Sequence, residues 1–217
     1  MAGIGVKLNN IYGKRTLTTN IIGMGYSTVM TIAPMLTVIG ALCIMEHFLG
    51  FDSVGYATRE LFSCTVLYIF IFSLLTASPF NSVLSKYMSD IIYEETFEDI
   101  LPCYYVGMIL NITFSALFGI PFCIHEYLVG NVDIIYVFTG YCGFVALVLV
   151  FYSMLYLSIC KDYKKISFFF MIGMAVTVLL SFLFVKVIHM SITYGMLLAL
   201  AIGFWLIACL EFALIRS

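Results

Sequence analysis

The chain has 217 residues, 63% of them hydrophobic and 10% charged, with a net charge of −2 and a mean hydropathy of +1.11. A soluble domain carries about 25% charged residues to hold its surface in water, so a soluble domain is excluded. Alternating strands of ten residues are absent too, which excludes a barrel and leaves helices that cross a hydrocarbon core roughly 30 Å thick.

Residues 1–17, MAGIGVKLNNIYGKRTL, place Ile4, Leu8, Ile11 and Tyr12 on one helical face and Lys7, Asn10 and Lys14 on the other. This pattern predicts an amphipathic leader lying on the cytoplasmic leaflet, held by its apolar face and by anionic lipid. Residues 18–217 then read as an all-α bundle of about six spans, near 20–45, 61–82, 101–124, 134–159, 166–188 and 191–213. Cytoplasmic loops retain Lys and Arg. With both termini inside, Lys7, Lys14, Arg15, Lys86, Lys161, Lys164, Lys165 and Arg216 are cytoplasmic and only Arg59 and Lys186 are outside.

The first span carries Asn20 and Pro34, and a proline near mid-span removes one helix hydrogen bond, which predicts a bend or break. Broken helices line pathways in carriers and also occur where nothing is carried. The second span is read as ending in Ala77, Ser78, Pro79, Phe80 and Asn81, where small residues permit close helix approach before the loop. Pro79 to Pro102 is the one long polar passage; it holds Lys86, Asp90, Glu94, Glu95, Glu98 and Asp99 and reads as a cytoplasmic loop with an amphipathic turn or two through Leu84, Tyr87, Met88, Ile91 and Ile92.

The third span starts after Pro102 with Tyr104 and Tyr105 at an aromatic-belt position, carries Asn111 within the hydrocarbon and is loosened at its outer end by Gly119 and Pro121. A buried Asn bonds across to another helix or faces a wet cavity. In the fourth span, Tyr141, Tyr152 and Tyr156 share one helical face, either as packing or as a surface on which sugars stack. Spans five and six are almost wholly apolar, with Lys186 and Glu211 placed near enough to their ends to snorkel.

Seven cysteines without a CxxC spacing read as small apolar packing residues, and His47, His125 and His189 fall near span ends. There is no Walker A motif, no HExxH and no nucleophile elbow. Neither a catalytic residue, a cofactor, a metal nor a nucleic-acid partner is expected. A proton or sodium relay needs ionisable groups deep in the spans, and none stands out in the sequence.

Two stretches resemble a known family. MAGIGVKL is similar to the MAGIGF opening common among PelG-type exopolysaccharide exporters. SKYMSDIIYEETFEDILP resembles that family's Thr-Arg-Tyr-like triplet, small residue, Asp, Tyr and ILP entering the third span, matched here by Ser85, Lys86 and Tyr87, then Ser89 and Asp90, Tyr93, and Ile100, Leu101 and Pro102. Lys86 stands where the family has Arg, which keeps the charge and loses bidentate bonding.

The resemblance implies one half of a two-half, flippase-like fold, so a missing second half or a second copy is expected as a partner. It also implies a multi-pass protein of the cytoplasmic (inner) membrane that exports an amino-sugar polymer. The implied partners are a cytoplasmic glycosyltransferase and small membrane subunits of a polysaccharide synthase. Asn20, Pro34, Asn81, Asn111 and Tyr152 are the pathway candidates, and Lys86, Tyr87 and Asp90 the candidate loop contacts. A non-transporting scaffold that recruits a glycosyltransferase, and a lipid-linked oligosaccharide flippase half, are the alternatives.

Overall fold

Inside hydrocarbon every backbone N–H and C=O needs a partner within its own segment, so each apolar run closes into one helix. The computed structural model describes residues 17–93, 100–159 and 163–216, with most side chains described from residue 32 onward. Its elements are α1 (Leu17–Leu49), a 3-10 turn (Phe51–Ser53), α2 (Tyr56–Tyr93), α3 (Ile100–Leu128), α4 (Ile134–Ile159), α5 (Tyr163–Phe182) running into a π turn (Leu183–Val187), and α6 (Ile192–Arg216). Six of these helices are long and apolar enough to cross a membrane, and no strand occurs among the described residues. The chain is a multi-pass membrane protein. The expected leader, 1–17, lies outside the described residues apart from Leu17, which opens α1.

α4 is the hub. Half of its span is buried (50%), against 17% for α3, and it packs on α2, α3 and α6, while α6 also packs on α5 and α5 on α1. The main core joins Met45 of α1, Phe62 of α2, Leu147 of α4 and Phe204 and Ile207 of α6. α5 and α6 approach closely because Gly173 and Gly203 face each other's helix; a Cβ on Gly203 would land on the Thr177 hydroxyl and one on Gly173 on Ile207.

The helix end expected at Pro79 is corrected, and of the bend or break expected at Pro34 the break is excluded. α1 is not broken at Pro34, α2 runs through Pro79 to Tyr93, and α3 runs through Pro121 to Leu128. One lost hydrogen bond costs less than opening a helix where no water can replace the others. Beyond Pro79 the helix is also held by packing, because Leu84, Met88 and Ile91 form a stripe buried or half-buried against the bundle. The passage read as a loop is therefore mostly helix, and its acidic residues 94–99 lie outside the described residues.

Two side chains assigned to the membrane interface are buried instead. Tyr104 is 1% exposed, inside the bundle and not in an aromatic belt. Glu211 is 0% exposed and does not snorkel, because its helix continues for more than a turn beyond it and its face is turned towards the bundle.

Candidate functional site

The chemistry of this bundle gathers where α3, α4 and α6 meet near the α2–α3 turn. Tyr104, Tyr152 and Tyr156 form one ring cluster with Met88: Tyr104 stacks on Tyr152 at 5.3 Å between centroids and 16° between planes, and Tyr156 stands edge-on to Tyr104 at 4.9 Å. Their hydroxyls are tied inward. Tyr104 Oη lies 2.7 Å from Ser153 Oγ, Tyr152 Oη donates to the Tyr104 carbonyl at 3.0 Å, and Tyr156 Oη donates to Cys103 Sγ at 3.3 Å.

Local sequence explains this arrangement. Tyr152 and Tyr156 are one helical turn apart on α4 and so present stacked rings to α3. Gly107, one turn from Tyr104, leaves room for the Tyr152 hydroxyl, because a Cβ there would overlap it and the Leu84 methyl. The tyrosine face in this part of α4 is thus packing between helices, and the sugar-stacking alternative has no open surface there in the conformation described.

Around the cluster sit polar atoms without partners. Asn111, 0% exposed, donates from Nδ2 to the Gly107 carbonyl at 2.8 Å, a bond within its own helix, and its Oδ1 has no hydrogen-bond partner among the described residues. Asn81 Oδ1 and both carboxyl oxygens of Glu211 are buried in the same condition. Asn81 and Asn111 occupy one level of the α2–α3 contact, bracketed by the Phe80–Phe114 ring pair at 5.3 Å and by Leu84 over Gly107. Glu211 belongs to the same end of the bundle: Gly143 packs on Ala201, and the same offset along α4 and α6 puts Ser153 level with Glu211. Each unsatisfied group in an apolar interior costs about 1–3 kcal/mol, which a purely structural bundle avoids by using apolar residues.

A second feature lies towards the opposite end of α4. A cavity of about 450 Å³ opens between α2, α3 and α4, walled by Phe72, Phe118, Phe122 and Phe144, with Tyr136, Tyr141 and Glu126 as its main polar groups. Tyr141 therefore parts company with Tyr152 and Tyr156.

Of the sequence-predicted pathway residues, Asn111 and Tyr152 meet around Gly107, and Asn81 lies at the level of Asn111 on α2. Pro34 is buried on α1, which packs on α5 and not on the cluster, and the Asn20 side chain lies outside the described residues. Pro34, Asn81, Asn111 and Tyr152 do not line the cavity. Lys86, Tyr87 and Asp90 are exposed on the last turns of α2, whereas Met88 and Ile91 there are buried. Sequence reasoning set Tyr104 at the interface and passed over Gly107 and Ser153; the Gly-x-x-x-Asn spacing ahead of a tyrosine-rich span was the available signal. No group of three or more His, Cys, Asp or Glu residues able to hold a metal occurs among the described residues.

The family model of PelG, described as an exopolysaccharide exporter (EPS-E), matches residues 1–217. No curated protein and no solved structure matches the chain.

Proposed function

The chain belongs to the PelG family of exopolysaccharide exporters, and from that premise we propose that it forms half of a translocator passing a Pel-type amino-sugar polymer outward across the cytoplasmic membrane. The observation that carries the reading beyond the family is the set of unpartnered buried groups on Asn81, Asn111 and Glu211 at one end of the bundle. A sugar polymer offers many hydroxyl donors, and acceptor oxygens held free inside a membrane protein are suited to receive them in turn. In the conformation described these groups are sealed, so passage requires α2 and α3 to move against α4. A second half or a second copy supplies the remaining wall.

Both termini are cytoplasmic in this reading, because that orientation retains most of the Lys and Arg inside. The exposed Lys86, Tyr87 and Asp90 at the end of α2 then face a cytoplasmic glycosyltransferase and the small membrane subunits that hold it. Their exposure equally suits a scaffold that recruits the synthase and moves nothing, which is the second reading.

The test is surface polymer in cells deleted for the full gene and resupplied with residues 1–217, at constant glycosyltransferase level. Restored surface polymer supports export by this half or by a pair of copies, and rescue by a longer reading frame alone supports a two-half exporter. A deletion that leaves surface polymer unchanged overturns export. Polymer that is made in normal amount and secreted by cells carrying Asn81→Leu with Asn111→Leu, but lost on reversing the charges at Lys86 and Asp90, favours the scaffold.

A further inference from the structure

We propose that Glu211 is a proton-binding site in this bundle, taking up a proton from the side of the membrane where α6 ends and giving it back when the packing of α3 and α4 against α6 loosens. What that proton drives rests on the export reading; the site itself does not.

Glu211 is fully buried, and neither carboxyl oxygen has a hydrogen-bond partner among the described residues. Removing an ionised carboxylate from water without a partner costs several kcal/mol, and binding a proton reduces that to the smaller cost of an unpaired neutral polar group. Replacement by Leu or Met would fill the same space without that cost, so the carboxyl is not a packing solution. An ionisable group inside a span is by default a functional one.

The surroundings fit exchange of a proton. Tyr104 on α3 is tied to Ser153, which lies level with Glu211 on α4. Phe212, beside Glu211, packs on Tyr104 and Tyr105 at 6.2 and 6.1 Å. A shift of α3 therefore changes the environment of the carboxyl directly.

The titratable and charged groups around it are few. α3 contributes Cys103, Tyr104 and Tyr105, and α4 contributes Tyr152 and Tyr156. On α5 the register set by Gly173 on Ile207 places Phe169 level with Glu211, with Lys165 and Lys164 about a turn further along; α6 itself offers Arg216 and the exposed thiol of Cys209. On α2 the described residues nearest that level, Ala77 and Ser78, do not titrate, and Lys86 and Asp90 lie exposed beyond them. α1 packs on α5, and its side chains before residue 32 lie outside the described residues. Arg216 lies five residues along the helix, about 7.5 Å, so the carboxyl is close to water yet shut from it.

The experiment uses the full chain in native membranes and dicyclohexylcarbodiimide, an apolar reagent that attacks protonated carboxyls, with peptide mass spectrometry across about pH 5 to 9, the range over which shifted carboxyls titrate. Glu211 is expected to be labelled, and its labelling rate to fall about tenfold per pH unit once its proton is lost. Glu60, exposed at the start of α2, should stay unlabelled, and E211Q should fold, as judged by monodisperse elution, and lose the label. The proposal is overturned by labelling that is equal at every pH, by none at any pH, or by protection from added sodium at constant pH. In cells, E211Q is expected to remove the dependence of surface polymer on the proton gradient while E211D keeps it; unchanged dependence in E211Q overturns the coupling. If gene deletion leaves surface polymer unaltered, the export reading fails while the labelling result still decides the site.

Discussion

The hydroxyls of Tyr104 on α3 and Ser153 on α4 lie 2.7 Å apart, and both residues are buried. Few other polar side-chain contacts between helices occur among the described residues; most Ser and Thr hydroxyls bond back to their own helix, as Thr177 does to Gly173 and Ser115 to Asn111. Tyr104→Phe should leave the Ser153 hydroxyl free to bond back within α4 and cost about 0.6–1.7 kcal/mol, the range of interhelical hydrogen bonds in membranes. Ser153→Ala should cost more, because the larger phenol is then stranded, and the double variant should cost less than the sum of the two. Unfolding in mixed micelles measures all three, and strict additivity of the single costs would show that the two hydroxyls are not coupled.

Gly107 and Gly40 make a matched pair. A Cβ at Gly107 would overlap the Tyr152 hydroxyl and the Leu84 methyl, whereas one at Gly40 meets nothing within 4 Å. Gly107→Ala should destabilise by about 1–3 kcal/mol through overpacking and perturb tyrosine near-UV circular dichroism. Gly40→Ala should be neutral or stabilise by up to about 1 kcal/mol, since alanine is the better helix former. Equal effects at the two sites would mean that the Tyr152 contact does not form in the membrane.

The number of spans was legible in the sequence because hydrocarbon leaves the backbone no other choice, and apolar runs of the right length announce themselves. Helix ends were legible only where water returns. At Pro79 the usual reading of proline as a boundary lost to the packing of Leu84, Met88 and Ile91, which depends on α3 and α4 and cannot be seen in one segment. Tyr152 and Asn111 were singled out for being polar within a span, and both proved to be buried at 0% exposure. Glu211 was assigned to the interface by its distance from the chain end, but distance along a helix says nothing about which face it occupies. The Tyr104–Ser153 pair joins residues 49 positions apart, and no local pattern encodes it.

Orientation is testable with the short connections. Asp52 follows the end of α1 and Asp90 lies on the exposed face at the end of α2, which places them on opposite sides of the membrane. In a variant with its native cysteines replaced, Asp90→Cys should react with a membrane-impermeant maleimide only after the cells are opened. Asp52→Cys should react in intact cells. The reverse pattern would turn the bundle over and move the Lys86, Tyr87 and Asp90 surface away from any cytoplasmic synthase.

Asn111 separates stability from function. Its Nδ2 bonds only to the Gly107 carbonyl, which the helix already engages, and its Oδ1 is buried without a partner among the described residues. Asn111→Leu removes an unsatisfied acceptor and adds apolar volume of similar size, so thermal stability should hold or rise by about 1 kcal/mol. If the free oxygen receives donors from a passing polymer, surface polysaccharide should fall at least about tenfold, equivalent to some 1.4 kcal/mol of lost interaction in the crossing step. Asn111→Gln, which keeps the amide on a longer stem, should recover part of that loss. A stabilised Asn111→Leu protein that exports at the wild-type rate would remove Asn111 from the pathway and leave Asn81 and Glu211 as the groups to pursue.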